Sequence, residues 1–178
     1  MKIAPKKSAV IILLCLIGTV LGFAASRYEM PRQGNEPLSA PVITLRNLEG
    51  RNINLDEWKG KLRLINFWAT WCAPCLNEMP LLVNVQKQYG ARGLQIIGPA
   101  LDDAEPVKKL AAELKLNYPG MADYNTADAA MRRLGNPEGG LPYSVLIDAQ
   151  GRIVRTILGG LSAKELDRLI STHLPQTN

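Results

Sequence analysis

The sequence predicts an α/β domain: a central mixed β-sheet flanked by helices, with one apolar helix ahead of it. Three observations predict this. Strand-like apolar runs alternate with segments of helical period from Leu62 to Leu134, the pattern that gives parallel strands joined by crossover helices. Two further strand-like runs flank the turn Asp148-Ala149-Gln150-Gly151 near the end, which predicts a closing antiparallel hairpin. A charge-free run, Ala9 to Ala25, precedes all of it, too apolar on every face to be one side of a globular core.

Each element has its own signal. Val42 to Leu45 and Asn52 to Leu55 flank a turn containing Gly50 and read as a leading hairpin. Leu62 to Trp68 is the first core strand. Pro74 to Tyr89 is the first helix: Pro74 suits a first turn, where a missing N–H costs nothing. Met79, Leu82, Val83 and Gln86 recur at helical spacing, Pro80 should kink the helix, and Gly90 and Gly93 close it. Leu94 to Ile97 is a second strand, and Pro99 is expected to break its ladder. Asp102 followed by Glu105 has the spacing of a helix start, with Val107, Leu110, Ala111 and Leu114 as its buried stripe. Tyr118 to Ala122 reads as a short strand. Ala127, Ala130, Met131 and Leu134 mark a third helix ended by Gly135 and Pro137. Tyr143 to Ile147 and Ile153 to Leu158 form the closing hairpin. Ser162-Ala163-Lys164-Glu165 is a capping box for a last helix that buries Leu166, Leu169, Ile170 and Leu174.

Organisation follows from composition. Residues 1–25 form a signal anchor or signal peptide, 26–40 a linker holding Pro31, Gly34 and Pro37, and 41–178 the globular domain. The apolar run of 17 residues is at the short limit for a spanning helix. It is longer than a cleaved signal needs, which favours a retained anchor over cleavage after Ala25. Lys2, Lys6 and Lys7 hold the start of the chain inside, so the domain is exported. They supply three of the net charge of +5. The domain itself is near balance, so a nucleic-acid surface is not indicated.

The cysteines are Cys15, Cys72 and Cys75. Cys15 sits in the apolar run, so Cys72 and Cys75 can pair only with each other, as a functional rather than a structural bridge. A Cys-X-X-Cys pair alone is shared with zinc and haem sites. Structural zinc needs four ligands, and the single histidine, His173, is in the last helix. Covalent haem attachment needs histidine after the second cysteine, where Leu76 stands. No metal is expected. A pair between a strand and a helix start reads instead as redox-active. Cys72, partly exposed at the helix N-terminus, is the attacking thiolate, and Cys75, buried one turn on, resolves the mixed disulfide.

Glu78 lies one turn beyond Cys75 on the same helix face. It is either the acceptor of the Cys75 proton or a solvated surface carboxylate. Trp71 reads as an apolar rim over the disulfide, and Trp68 as core. Ala73 and Pro74 offer no charge or side-chain donor to the thiolate, which favours a reductant over an oxidant. Leu141-Pro142 precedes a strand. As a cis bond it would turn backbone polar groups toward the cysteines for pairing with an extended substrate; as a trans bond it is an ordinary strand start.

These residues together resemble a known family. Phe67-Trp68-Ala69-Thr70-Trp71-Cys72-Ala73-Pro74-Cys75, then Glu78 and Pro80, resembles the thioredoxin superfamily. With the Gly50-Arg51 hairpin, Leu64-Ile65-Asn66, Gly140-Leu141-Pro142 and Leu146-Ile147-Asp148, it is similar to the exported, membrane-anchored TlpA/ResA type, which includes reductases of cytochrome c maturation. The resemblance implies a thioredoxin fold with a helical insertion over Asp102 to Leu116. It implies a cis Pro142 opposite the cysteines, Glu78 as the acid that sets their proton chemistry, and Asn66 in place of the buried aspartate of cytoplasmic thioredoxins. Catalysis falls to Cys72, Cys75 and Glu78, and substrate contact to Trp71, Ala73, Pro74, Leu141 and Pro142. No cofactor beyond the cysteine pair is implied. The expected partners are protein disulfides and a membrane thiol-electron donor of the DsbD/CcdA kind, for a monomer on the periplasmic face of the inner membrane. An oxidase or isomerase, or a metal or thiol carrier, is the alternative. The chain departs from the family pattern at Val42-Ile43, Pro99 and Tyr143.

Overall fold

The computed structural model describes residues 38–174. The apolar segment 1–25 with Cys15, and the linker up to residue 37, lie outside them. Among the described residues no helix is long and apolar enough to cross a membrane.

The strands are β1 (Thr44–Arg46), β2 (Asn52–Asn54), β3 (Leu62–Phe67), β4 (Leu94–Ala100), β5 (Gly120–Ala122), β6 (Tyr143–Ile147) and β7 (Ile153–Leu158). The α-helices are α1 (Ala73–Tyr89), α2 (Ala104–Glu113), α3 (Tyr124–Arg133) and α4 (Ala163–His173). β1 and β2 form a separate hairpin, and the other strands form one sheet in the order β5-β4-β3-β6-β7. β3, β4 and β5 run parallel, while β6 and β7 are antiparallel to their neighbours. This is the predicted mixed sheet with an antiparallel edge. Residues 38–40, read as linker, already belong to it: Leu38 and Ala40 bond to Ile153 and Gly151 at the start of β7.

Alternation along β3 divides the core. Leu62 and Leu64 pack with Leu82, Val85 and Tyr89 of α1 and Leu166 and Ile170 of α4. Ile65 and Phe67 face the other side, with Leu45 and Leu55 of the hairpin region and Ala127, Ala130 and Met131 of α3. Each large side chain buried this way contributes about 1.5–3 kcal/mol. β3 therefore lies at the centre of the sheet, buried along its whole length, and it delivers its C-terminal end to the cysteine turn.

Several sequence expectations change. Pro99 does not break β4. Its carbonyl still accepts from Trp68 N–H at 3.1 Å, and it stands opposite Met121 in the β4–β5 register. The proline forfeits one donor and keeps its acceptor, which a strand near its end tolerates. Pro80 lies inside α1, which continues past it to Tyr89. Gln86, counted on its apolar stripe, is a polar clamp: its Oε1 accepts from Ile96 N–H at 2.7 Å. The helix after β4 starts at the N-cap Asp103 rather than Asp102. Tyr143, one of the departures from the family pattern, is turned into the core, and its hydroxyl donates to Leu134 carbonyl at 2.9 Å. Ser162 caps α4 as expected, accepting from Glu165 N–H.

Candidate active site

Three chain segments meet at the C-terminal end of β3. The first is the turn from Trp68 to Cys72. Trp68 N–H and carbonyl bond to Pro99 carbonyl and Leu101 N–H, and Cys72 N–H closes on Ala69 carbonyl at 3.1 Å. Asp102 completes this turn. Its Oδ2 accepts from both Thr70 N–H and Thr70 Oγ1, each at 2.7 Å. The residue read as a helix cap is therefore the brace of the cysteine loop. A pair of bonds to a carboxylate is worth about 1.5–3 kcal/mol per bond when buried, and less at this half-buried position. Asp102→Ala is expected to lower stability by about 2 kcal/mol and to slow disulfide exchange. Asp102→Asn, which keeps an acceptor oxygen, should lose less than half of that. Thermal unfolding and insulin turnover check both.

Cys72 is the N-cap of α1, with Pro74 in the first turn. Cys72 and Cys75 form a disulfide, with Cα atoms 5.3 Å apart. Cys72 keeps 5% of its surface and Cys75 none. The expected partial exposure of Cys72 is thus reduced to a sliver, because the residue packs into the core cluster that also receives Leu141. It is still the one residue of the pair that solvent touches. Beside it Trp71 stands 68% exposed, and Ala73 and Pro74 are exposed as well. The helix N-terminus favours a thiolate at Cys72 once the bond opens.

The second segment is the loop before β6. The Leu141–Pro142 bond is cis. Pro142 carbonyl already accepts from Gly159 N–H at 2.8 Å. That carbonyl ties the cis loop to the end of β7.

The third segment surrounds Glu78. This residue is 5% exposed, which discards the solvated-surface reading. Its Oε1 accepts from Asn66 Nδ2 and its Oε2 from Leu161 N–H, both at 2.8 Å. Asn66 Nδ2 also donates to Ser144 Oγ at 3.0 Å. Burial holds the Glu78 carboxyl above the ordinary range, against the downward pull of Leu161 N–H and the Asn66 amide. The sequence placed Asn66 but not its partners. Leu161 acts through its backbone from 83 residues away, and no residue-type signal could have found it.

A sulfur pair that opens and closes at a helix end trades one bond for two electrons, and this defines the class: the protein is a thiol–disulfide oxidoreductase. Comparison with known proteins gives the particular lineage. The chain belongs to the Redoxin family, whose model matches residues 33–170. It is 35% identical over 172 residues to the thiol-disulfide oxidoreductase ResA of Bacillus cereus, covering 93% of this chain and 95% of that one. It is 30% identical to the thioredoxin-like protein YneN of Bacillus subtilis, covering 89% and 92%. The crystal structure of a thiol:disulfide interchange protein of the thioredoxin family from Chlorobium tepidum superposes with a TM-score of 0.69 at 30% identity, covering 79% of this chain and 98% of that one. The thioredoxin-type fold and the ResA resemblance expected from the cysteine motif are thereby established.

Proposed function

We propose that the protein is an exported reductase that opens disulfides of extracytoplasmic proteins, with the haem-binding cysteine pair of apocytochrome c as the leading substrate. The observation that carries the direction is the absence of charge beside the sulfurs: Trp71, Ala73, Pro74 and Leu76 are all neutral. With only the helix end to stabilise it, the thiolate is a moderate one, and the reduced pair gives up its electrons readily. The relatives named ResA support the reading.

The reduced pair reacts in two steps. Cys72 thiolate attacks one sulfur of the substrate disulfide. A Cys72–substrate bond forms, the substrate bond breaks, and the departing sulfur leaves as thiolate. Cys75 then gives its proton to Glu78 and attacks Cys72, closing the Cys72–Cys75 bond and releasing the second substrate thiolate. Two electrons have passed to the substrate. Trp71, Ala73, Pro74 and the Leu141-Pro142 loop form the rim on which an extended substrate lies. No further cofactor takes part. Recharging requires a thiol donor, for which a membrane transporter of the DsbD/CcdA kind suits a domain tethered by residues 1–25 at the periplasmic face.

The reduction potential of the pair tests the direction. A value near that of thioredoxin, about −270 mV, is expected; one near the strongly oxidising end, about −120 mV, would make the protein an oxidase.

A further inference from the structure

Glu78 has two hydrogen-bond partners, and both give protons: the Leu161 N–H and the Asn66 amide. That set suits a carboxylate. Resting on the reading that Glu78 takes the Cys75 proton, the product of that step is a carboxylic acid, whose O–H needs an acceptor in the same buried place. A backbone N–H cannot accept. Asn66 can, because a side-chain amide presents an oxygen when turned by half a revolution, with almost no change of shape. Its second contact, Ser144 Oγ, is a hydroxyl that accepts or donates as required.

We propose that Asn66 is the two-way partner of Glu78 in catalysis: its amide donates to the carboxylate, then turns and accepts from the acid, with Ser144 reversing its hydroxyl in step. In the first state Asn66 Nδ2 donates to Glu78 Oε1 and to Ser144 Oγ. In the second, Oδ1 stands in that place and receives the Glu78 O–H and the Ser144 O–H. Glu78 Oε1 and Ser144 Oγ each keep a hydrogen bond to Asn66 in both states, so the proton is accepted without breaking either contact. Asn66 is a positioning residue here; it does not touch the sulfurs' electrons.

The geometry explains why three elements converge on one carboxyl. Asn66 lies on β3, Ser144 on β6 and Leu161 ahead of α4. Asn66 and Ser144 are directly opposite in the β3–β6 register, and both are about 1% exposed. The other titratable group near Glu78 is Tyr118, from the segment before β5; Cys75, one turn back on the same helix, is held in the disulfide and does not titrate in the oxidised chain. Tyr118 is held protonated by burial and by the Glu78 charge, so it stays neutral while Glu78 titrates.

Nuclear magnetic resonance of the oxidised full chain tests this. The Glu78 carboxyl carbon reports its proton, and the Asn66 side-chain amide protons report, by proximity, their contact with Ser144. The contact is expected at high pH and should be lost with the same midpoint as the Glu78 titration. In Glu78→Gln, whose amide donates toward Asn66 while its oxygen accepts from Leu161 N–H, the contact should be missing at every pH. Amide protons that stay against Ser144 throughout, in both proteins, would overturn the proposal. The outcome is independent of turnover. If Glu78→Gln retains full activity while the contact switches with pH in the parent, the two-way partner stands and the catalytic role of Glu78 falls.

Discussion

Cys75→Ser is expected to stop the reaction halfway and hold the substrate on the enzyme. Cys72 keeps its place as the N-cap of α1, next to the exposed Trp71, so the first attack proceeds. The second does not, because a serine hydroxyl is not ionised near neutral pH and cannot displace a thiolate. A mixed disulfide on Cys72 should therefore accumulate in place of product. Turnover should fall to the uncatalysed rate. Cys72→Ser should lose turnover equally and accumulate nothing, because Cys75 has no exposed surface from which to reach a protein. Mass spectrometry of alkylated, non-reduced samples distinguishes the two. Equal trapping by both variants would reverse the order of attack.

Glu78→Gln is the second large effect, and it runs in opposite directions for activity and stability. The amide cannot take a proton from Cys75. Turnover should drop by about a hundredfold, the low end for a positioned proton acceptor, and the loss should shrink at alkaline pH, where Cys75 ionises unaided. Stability follows from the sign of the shift. Burial raises the Glu78 pKa in the folded protein, so the unfolded chain loses its proton first as pH rises. Stability is full below the unfolded value of 4.5 and is lost as pH climbs through the higher folded value. The glutamine variant has no such loss. Its melting temperature, measured against pH, should overtake the parent above that window. A parent curve that rises in the same window would contradict the assigned shift.

The strands and helices were legible because they obey periodicity. Leu62, Leu64 and Leu82, or Ile65 and Phe67, sort themselves onto sheet faces by spacing alone. The cysteine pair, its helix start and Glu78 on the next turn were legible for the same reason, since local spacing fixes them. What could not be read was set by long-range pairing. Asp102 looks like a cap by its neighbours, yet its carboxylate is claimed by Thr70 32 residues earlier. Leu161 contributes a backbone N–H, which every residue but proline carries. Pro99 violates a strand rule that applies to central ladder positions, and it sits where only its carbonyl is used. Tyr143 departs from the family pattern just after the cis proline, and which way it faces is set by strand alternation, which turns it inward against Phe67. The burial of Cys72 comes from its place in the core cluster, whose members come from segments far apart in the chain.

The thiol balance of a single turnover tests the account most directly. The reduced protein is mixed with one equivalent of a peptide carrying an internal Cys-X-X-Cys-His disulfide, quenched with an alkylating agent and weighed. The prediction is that the peptide ends with two alkylated thiols while the protein carries the Cys72–Cys75 bond and none. A protein that keeps both thiols beside an oxidised peptide, under conditions where dithiothreitol reduces that peptide, would contradict it.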